Sequence, residues 1–152
     1  MIPHLSISIV TPRDIGRFTE LISVFERVFE MKEFSLPENT HLQSLLEKPD
    51  FFAFTASVNN RVIGGLTCYI LDQYYSPSPL VYIYDLAVEV EFQRQGVGKQ
   101  LMQTTIDYYR QSGYEEVFVQ AELADDYALD FYRATGANEL PMVHFNYLLN
   151  QK

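Results

Sequence analysis

A chain of 152 residues, 47% apolar and 14% aromatic, suits a single domain over residues 1–152 with one packed core and excludes a disordered segment. Twenty acids against eleven bases give a formal charge of −9, which argues against a nucleic-acid partner, and no apolar run approaches the ~20 residues of a membrane span. The N-terminus lacks a basic-then-apolar signal layout and the lone cysteine, Cys68, cannot close an internal disulfide, so a reduced, cytoplasmic setting is expected.

Residues 5–10 alternate apolar and polar side chains and read as a first strand. Thr11-Pro12-Arg13-Asp14 then offers an N-cap, a proline at the first helical position and an acid in the first turn. Ile15, Phe18, Ile22, Phe25 and Phe29 follow at helical spacing, so this helix lays an apolar face on a sheet. Ser35-Leu36-Pro37-Glu38 repeats the start signal before a shorter helix with Leu42, Leu45 and Leu46. Met31 and Phe34, between the two helices, are placed to rim a substrate cleft. Residues 51–58 and 61–71 are strand-like, and Asn59-Asn60 between them tolerates positive φ, which predicts a tight hairpin. Residues 72–79 form a loop before a central strand over 80–88.

The stretch Gln93-Arg94-Gln95-Gly96-Val97-Gly98-Lys99 comes next. From Val97, Leu101, Thr105 and Tyr108 continue at helical spacing to about Ser112, with Gly113 as the C-cap. The glycines therefore sit where a strand turns into a helix. A helix's first turn has unpartnered N–H groups and a positive dipole end, and glycine lets a phosphate approach the main chain. Arg94 and Lys99 add positive charge. The string is neither a Walker A loop nor a Rossmann fingerprint, and Gly-x-Gly by itself is equally a turn with no ligand.

Residues 116–121 read as another strand. Asp125-Asp126 caps a helix carrying Ala128, Leu129, Phe131 and Tyr132, which ends at Gly136, and residues 142–148 read as a final strand. The expected order is β-α-α-β-β-β-α-β-α-β. Residues 114–139 hold seven acids and one base, Arg133. Three scattered histidines and one cysteine show no metal-ligand spacing, so no metal is expected. His144, in an apolar run, reads as core.

The glycine stretch resembles the Gln/Arg-x-x-Gly-x-Gly/Ala signature of the GNAT superfamily of N-acetyltransferases. Residues 125–136 resemble that family's Asn-x-x-Ala-x-x-Phe-Tyr-x-x-x-Gly helix, with Asp125 where many members carry asparagine. The two motifs fall in order on the expected elements, and the resemblance spans residues 5–148. Within the superfamily the chain looks most like the aminoglycoside 3-N-acetyltransferases. Tyr82-Ile83-Tyr84-Asp85-Leu86-Ala87-Val88, Arg94-Gln95-Gly96, Val119-Gln120-Ala121, Asp125-Asp126 and His144-Phe145 carry that likeness.

The resemblance implies an α/β (α+β) GNAT fold, a mixed central sheet with a splayed strand pair and flanking helices. It implies acetyl-CoA as co-substrate, with Gln93, Arg94, Gln95, Gly96, Val97, Gly98 and Lys99 around its pyrophosphate. Leu86, Ala87 and Val88 would pair with pantetheine through their backbones. Tyr132 falls on the family's tyrosine beside the coenzyme sulfur, a role that its motif position favours over that of an ordinary buried tyrosine. Asp85 interrupts an apolar strand and is the candidate to receive the amine's proton; a structural acid held by nearby main chain is the alternative. Glu122, Asp125 and Asp126 would draw a polycationic small-molecule amine, the 3-amine of an aminoglycoside being the expected acceptor, besides capping a helix. Direct transfer in a ternary complex is expected, with neither nucleic acid nor membrane as partner, and a homodimer is compatible. A polyamine or other small amine as acceptor, and a non-catalytic acetyl-CoA sensor, are the alternatives.

Overall fold

In the computed structural model, which describes residues 2–150, five strands lie in chain order, β1-β2-β3-β4-β5, in one mixed sheet. β1 (Leu5–Ile9), β2 (Phe51–Val58), β3 (Arg61–Leu71) and β4 (Leu80–Val88) pair antiparallel, and β5 (Glu116–Val119) lies parallel to β4. Asn59 and Asn60 turn the predicted hairpin with φ of 49° and 69°, the left-handed region that a short polar side chain tolerates. A parallel neighbour needs a crossover, which α3 (Val97–Gln111) supplies. α1 (Ile15–Val28) and α2 (Asn39–Leu46) join β1 to β2, and α4 (Asp126–Ala134) follows β5. The chain divides into two units, Met1–Gln120 with the whole sheet and its three helices, and Ala121–Lys152 with α4.

Helices cover both faces of the sheet in the first unit, so β2 and β3 are buried almost continuously instead of alternating with water. Phe18, Leu21, Val24 and Phe25 of α1 pack with Phe51 and Ala53 of β2. On the other face Phe54 meets the rings of Tyr108 and Tyr109 of α3 edge-on, at 6.0 and 6.1 Å. Val97 and Leu101 of α3 are fully buried, each contributing about 1.5–3 kcal/mol relative to exposure.

Three sequence expectations shift. Thr11 does not cap α1; its carbonyl accepts from Asp14 N in a preceding turn, and Asp14 Oδ1 caps the helix by accepting from Arg17 N at 3.0 Å. A carboxylate satisfies that amide and also complements the helix dipole, which a hydroxyl does not. α2 begins at Asn39 behind Glu38 with no side-chain cap, so Ser35 stays in the loop, and burial of Leu42 and Leu46 fixes the helix instead. No strand is assigned over 142–148 among the described residues, where the sequence leads one to expect a final one. Among the described residues no helix is long and apolar enough to cross a membrane.

Gly64 and Gly65 let the layers close. A Cβ on Gly65 would stand 2.3 Å from the Phe54 carbonyl oxygen and 2.6 Å from Leu21 Cδ1, with backbone on one side and a fully buried leucine on the other. Gly65→Ala is therefore expected to destabilise the protein by about 1–3 kcal/mol or more, read as a lower urea midpoint. Gly16→Ala, where the nearest atom is Asp14 Oδ1 at 3.8 Å, should leave the midpoint unchanged or higher.

Candidate active site

The pairing of β3 with β4 slips by one residue between Thr67, opposite Asp85, and Cys68, opposite Ile83, which leaves Tyr84 as the extra residue of a bulge. A bulge re-aims the side chains around it. Tyr84 is 58% exposed, while Asp85 beside it is half-buried. Tyr69 stands edge-on to Tyr84, with ring centres 5.9 Å apart, and Phe51 packs on Tyr69 at 5.2 Å. These side chains line a cleft of about 410 Å³ whose other wall is the C-terminal half of α1 and the loop behind it, through Phe25, Phe29, Met31 and Phe34. Met31 and Phe34 thus rim a cleft as expected.

Asp85 is the one carboxylate among the residues of that lining. Burial raises it above the usual carboxylate range, and no cation or hydrogen bond among the described residues offsets the effect. The structural alternative, an acid held by nearby main chain, has no such bond to carry it. The Tyr69 hydroxyl is also raised, first by burial and then by Tyr84, Asp85 and Asp50 nearby. Cys68 is fully buried with Sγ 3.6 Å from the Tyr109 hydroxyl, and burial pushes its thiol up to about 11, so it stays protonated and unreactive.

The ladder between β4 and β5 ends at Ile83 opposite Val119, while β4 runs on to Val88. From Tyr84 onward β4 keeps its partner on one side only: Leu86, Ala87 and Val88 face Leu66, Gly65 and Gly64 of β3. This is the splayed pair expected of the sheet, with Ala87 and Val88 side chains in the core and the other backbone edge turned away from any strand.

The glycine turn is tied to that edge. Gln93 Nε2 donates to the Val88 carbonyl at 2.9 Å, and Gln95 Nε2 to the Glu91 carbonyl at 3.0 Å. Arg94 takes φ of 60°, and Gly96 stands at the N-cap of α3 with φ of 87° and no side-chain cap. A Cβ on Gly96 would meet nothing within 4 Å, so the space over the turn is open. The first intrahelical bond runs from Gln100 N to the Gly96 carbonyl at 3.0 Å, which leaves the amides of Val97, Gly98 and Lys99 ahead of the ladder. Val97 anchors the turn in the core, and Arg94 and Lys99 are exposed beside it. A diphosphate fits this donor set.

The remaining candidates lie in the second unit. Asp125 caps α4, its Oδ1 accepting from Ala128 N at 3.0 Å, while the Glu122 carbonyl accepts from Asp125 N at 3.0 Å. With Asp126 in the first helical turn, these put three exposed carboxylates on one turn. Tyr132 is half-buried on α4 with Phe131 at 5.0 Å between ring centres. His144 is exposed, not core as its apolar neighbours suggested. Among the described residues no group of His, Cys, Asp or Glu side chains gathers as a metal site. Tyr69 and Tyr84 were missed by sequence reasoning; their aromatic character was visible, but the bulge that turns them into the cleft was not.

A family model described as the acetyltransferase (GNAT) family matches residues 18–137. The crystal structure of an aminoglycoside acetyltransferase, meta-AAC0020 from an uncultured soil metagenomic sample, in complex with trehalose, is 52% identical. It has a TM-score of 0.95 over 97% of each chain. The same protein is also solved in complex with sisomicin, where the identity is 51%. N-alpha-acetyltransferase 30 of Schizosaccharomyces pombe is 31% identical over 85 residues, 56% of this chain and 56% of that protein. The chain thus spans about half the length of the curated relatives it matches. Aminoglycoside N-acetyltransferase AAC(6')-Iy in complex with CoA, 19% identical with a TM-score of 0.77 over 99% of this chain and 100% of that one, shares the fold alone.

The raised carboxyl has a consequence for stability. Folded Asp85 holds its proton to a higher pH than the unfolded chain does, so it costs nothing below the ordinary carboxylate range. Its cost grows as pH rises from that range through the raised value, and is full above it. Asp85→Asn should therefore raise the melting temperature at pH 8, with the gain shrinking to nothing near pH 3 in a parallel series of thermal melts.

Proposed function

The chain belongs to the acetyltransferase (GNAT) family, and on that premise we propose that it acetylates the 3-amine of aminoglycoside antibiotics by direct transfer in a ternary complex. The observation that carries the chemistry is Asp85, a half-buried carboxylate raised by desolvation where the β4–β5 ladder has ended. Support for the acceptor class comes from the 52% identical aminoglycoside acetyltransferase and its sisomicin complex. In this reading the whole chain works as one acetyltransferase domain, in the cytoplasm, without a metal.

Acetyl-CoA supplies an acyl group activated as a thioester. The amides of Val97, Gly98 and Lys99, with Gly96 leaving room and Arg94 and Lys99 adding charge, hold its pyrophosphate; Gln93 and Gln95 brace the turn. Leu86, Ala87 and Val88 present the open edge of β4 to the pantetheine amides, as an added strand would be held, and a main-chain N–H there stabilises the developing oxyanion. Asp85 takes the proton of the attacking nitrogen, directly or through water; a carboxyl raised by burial is a stronger base than an exposed one. Tyr132 donates a proton to the departing sulfur. Glu122, Asp125 and Asp126 attract the polycation. Loss of one positive charge and the added acyl bulk weaken the drug's hold on a polyanionic target, which is resistance. The largely apolar and aromatic cleft favours a second reading, a small amine with fewer charges.

Thiol release from acetyl-CoA across aminoglycosides and polyamines, with NMR of the product, tests this. Acetylation at the 3-nitrogen is expected, and turnover of polyamines alone, or CoA binding with no thiol released, overturns it. Asp85→Asn should lower kcat by about 10²–10⁴-fold with acetyl-CoA affinity unchanged. Tyr132→Phe should lower kcat and spare the KM for the amine; equal kcat would remove the tyrosine from the mechanism.

A further inference from the structure

The glycine turn contains a strained residue. Arg94 takes φ of 60°, a left-handed conformation that a residue with a long side chain keeps only where its surroundings enforce it. Gly96, two residues on, is the N-cap of α3, so relaxation of Arg94 would carry the amides of Val97, Gly98 and Lys99 with it. Side chains of the turn restrain it from within: Gln93 Nε2 holds the Val88 carbonyl and Gln95 Nε2 the Glu91 carbonyl. The second restraint is only as firm as Glu91. That residue lies in one turn of 3₁₀ helix, Val90–Phe92, with no side-chain cap and no buried residue to pack it down.

The β2–β3 hairpin supplies what packing does not. Arg61, the first residue of β3, donates from Nη2 to Glu91 Oε1 at 2.8 Å. Its guanidinium carbon also lies 5.7 Å from the centre of the Phe92 ring. One cation thus engages two neighbouring residues of the 3₁₀ turn, by a charged hydrogen bond and by attraction to a ring face. The base from which Arg61 projects is firm. Val62 N donates to Glu20 Oε2 of α1 at 3.2 Å, and the carbonyl of fully buried Ile63 accepts from Glu89 N at 2.8 Å. Building on the assignment of the glycine turn to the pyrophosphate of acetyl-CoA, we propose that Arg61 is a positioning residue for the coenzyme. Through Glu91 and Phe92 it keeps the turn in the form that presents its amides, without touching the coenzyme itself. Charge distinguishes this from direct attraction. Arg61 is a cation and Glu91 an anion, so by charge alone their removal would move affinity for a diphosphate in opposite directions. Positioning moves both the same way.

Calorimetric titration of the full chain with CoA, and with pantetheine, which lacks the pyrophosphate, tests this. Arg61→Ala and Glu91→Ala should each raise the Kd for CoA by about 3–30-fold, the span from an exposed ion pair alone to that pair with a cation–π contact. The Kd for pantetheine should not change. The double variant should bind CoA about as well as the weaker single one, because both substitutions break one link. Arg110→Ala, which breaks another exposed pair, with Asp107 of α3, should leave both affinities as they are. Wild-type affinity for CoA in either alanine variant overturns the proposal, and so does tighter binding by Glu91→Ala, the mark of charge acting alone. An equal loss for CoA and pantetheine also overturns it, since the substitutions would then have disturbed more than the turn. Wild-type protein that holds CoA no more tightly than pantetheine removes the pyrophosphate assignment and this proposal with it.

Discussion

One extra residue in β4 governs the cleft. With strict pairing to β3, the side chains of Tyr84 and Asp85 would fall on opposite faces in the ordinary alternation, and a carboxylate would meet either water or core. The bulge at Tyr84 instead sets Asp85 half-buried against Thr67 and turns the tyrosine ring outward to meet Tyr69. A local irregularity of the ladder thus becomes an electrostatic property, a carboxyl held above its ordinary range by desolvation. The same stretch is where β5 ceases to pair, so strand geometry and acid strength are decided within a few residues of each other.

The surroundings hold this arrangement from two sides. Gly64 and Gly65 bring β3, β4 and α1 closer than any side chain permits, so α1 can serve as the cleft's second wall. Arg27 Nη2 at the end of α1 meets Glu89 Oε1 at 2.6 Å, just past β4, and ties that wall to the strand. As Arg27 is largely exposed, the pair is worth about 0–1 kcal/mol and acts through position more than stability. Gln93 then links the end of β4 to the glycine turn through the Val88 carbonyl.

Much of this was legible from residues alone. The Asn59-Asn60 hairpin, the helix begun by the glycine turn and the cap by Asp125 each follow from local chemistry that few alternatives satisfy. Met31 and Phe34 were visible as a rim because they interrupt two amphipathic helices. The bulge was not legible, since Tyr-Asp in an apolar strand reads the same with or without a register slip. Nor was the irregular backbone over 142–148, whose alternation of side chains reads as a strand. The caps of α1 and α2 moved because hydrogen-bond competition and tertiary packing, not the first matching residue, choose where a helix starts.

The account turns on Asp85 being a strengthened base because the bulge buries it, and that is directly measurable. Carbon-13 NMR titration of the Asp85 carboxyl, assigned by comparison with Asp85→Asn, should give a midpoint above the ~3.9 of an unperturbed aspartate. A midpoint at or below that value, in protein with the fold intact, would contradict it.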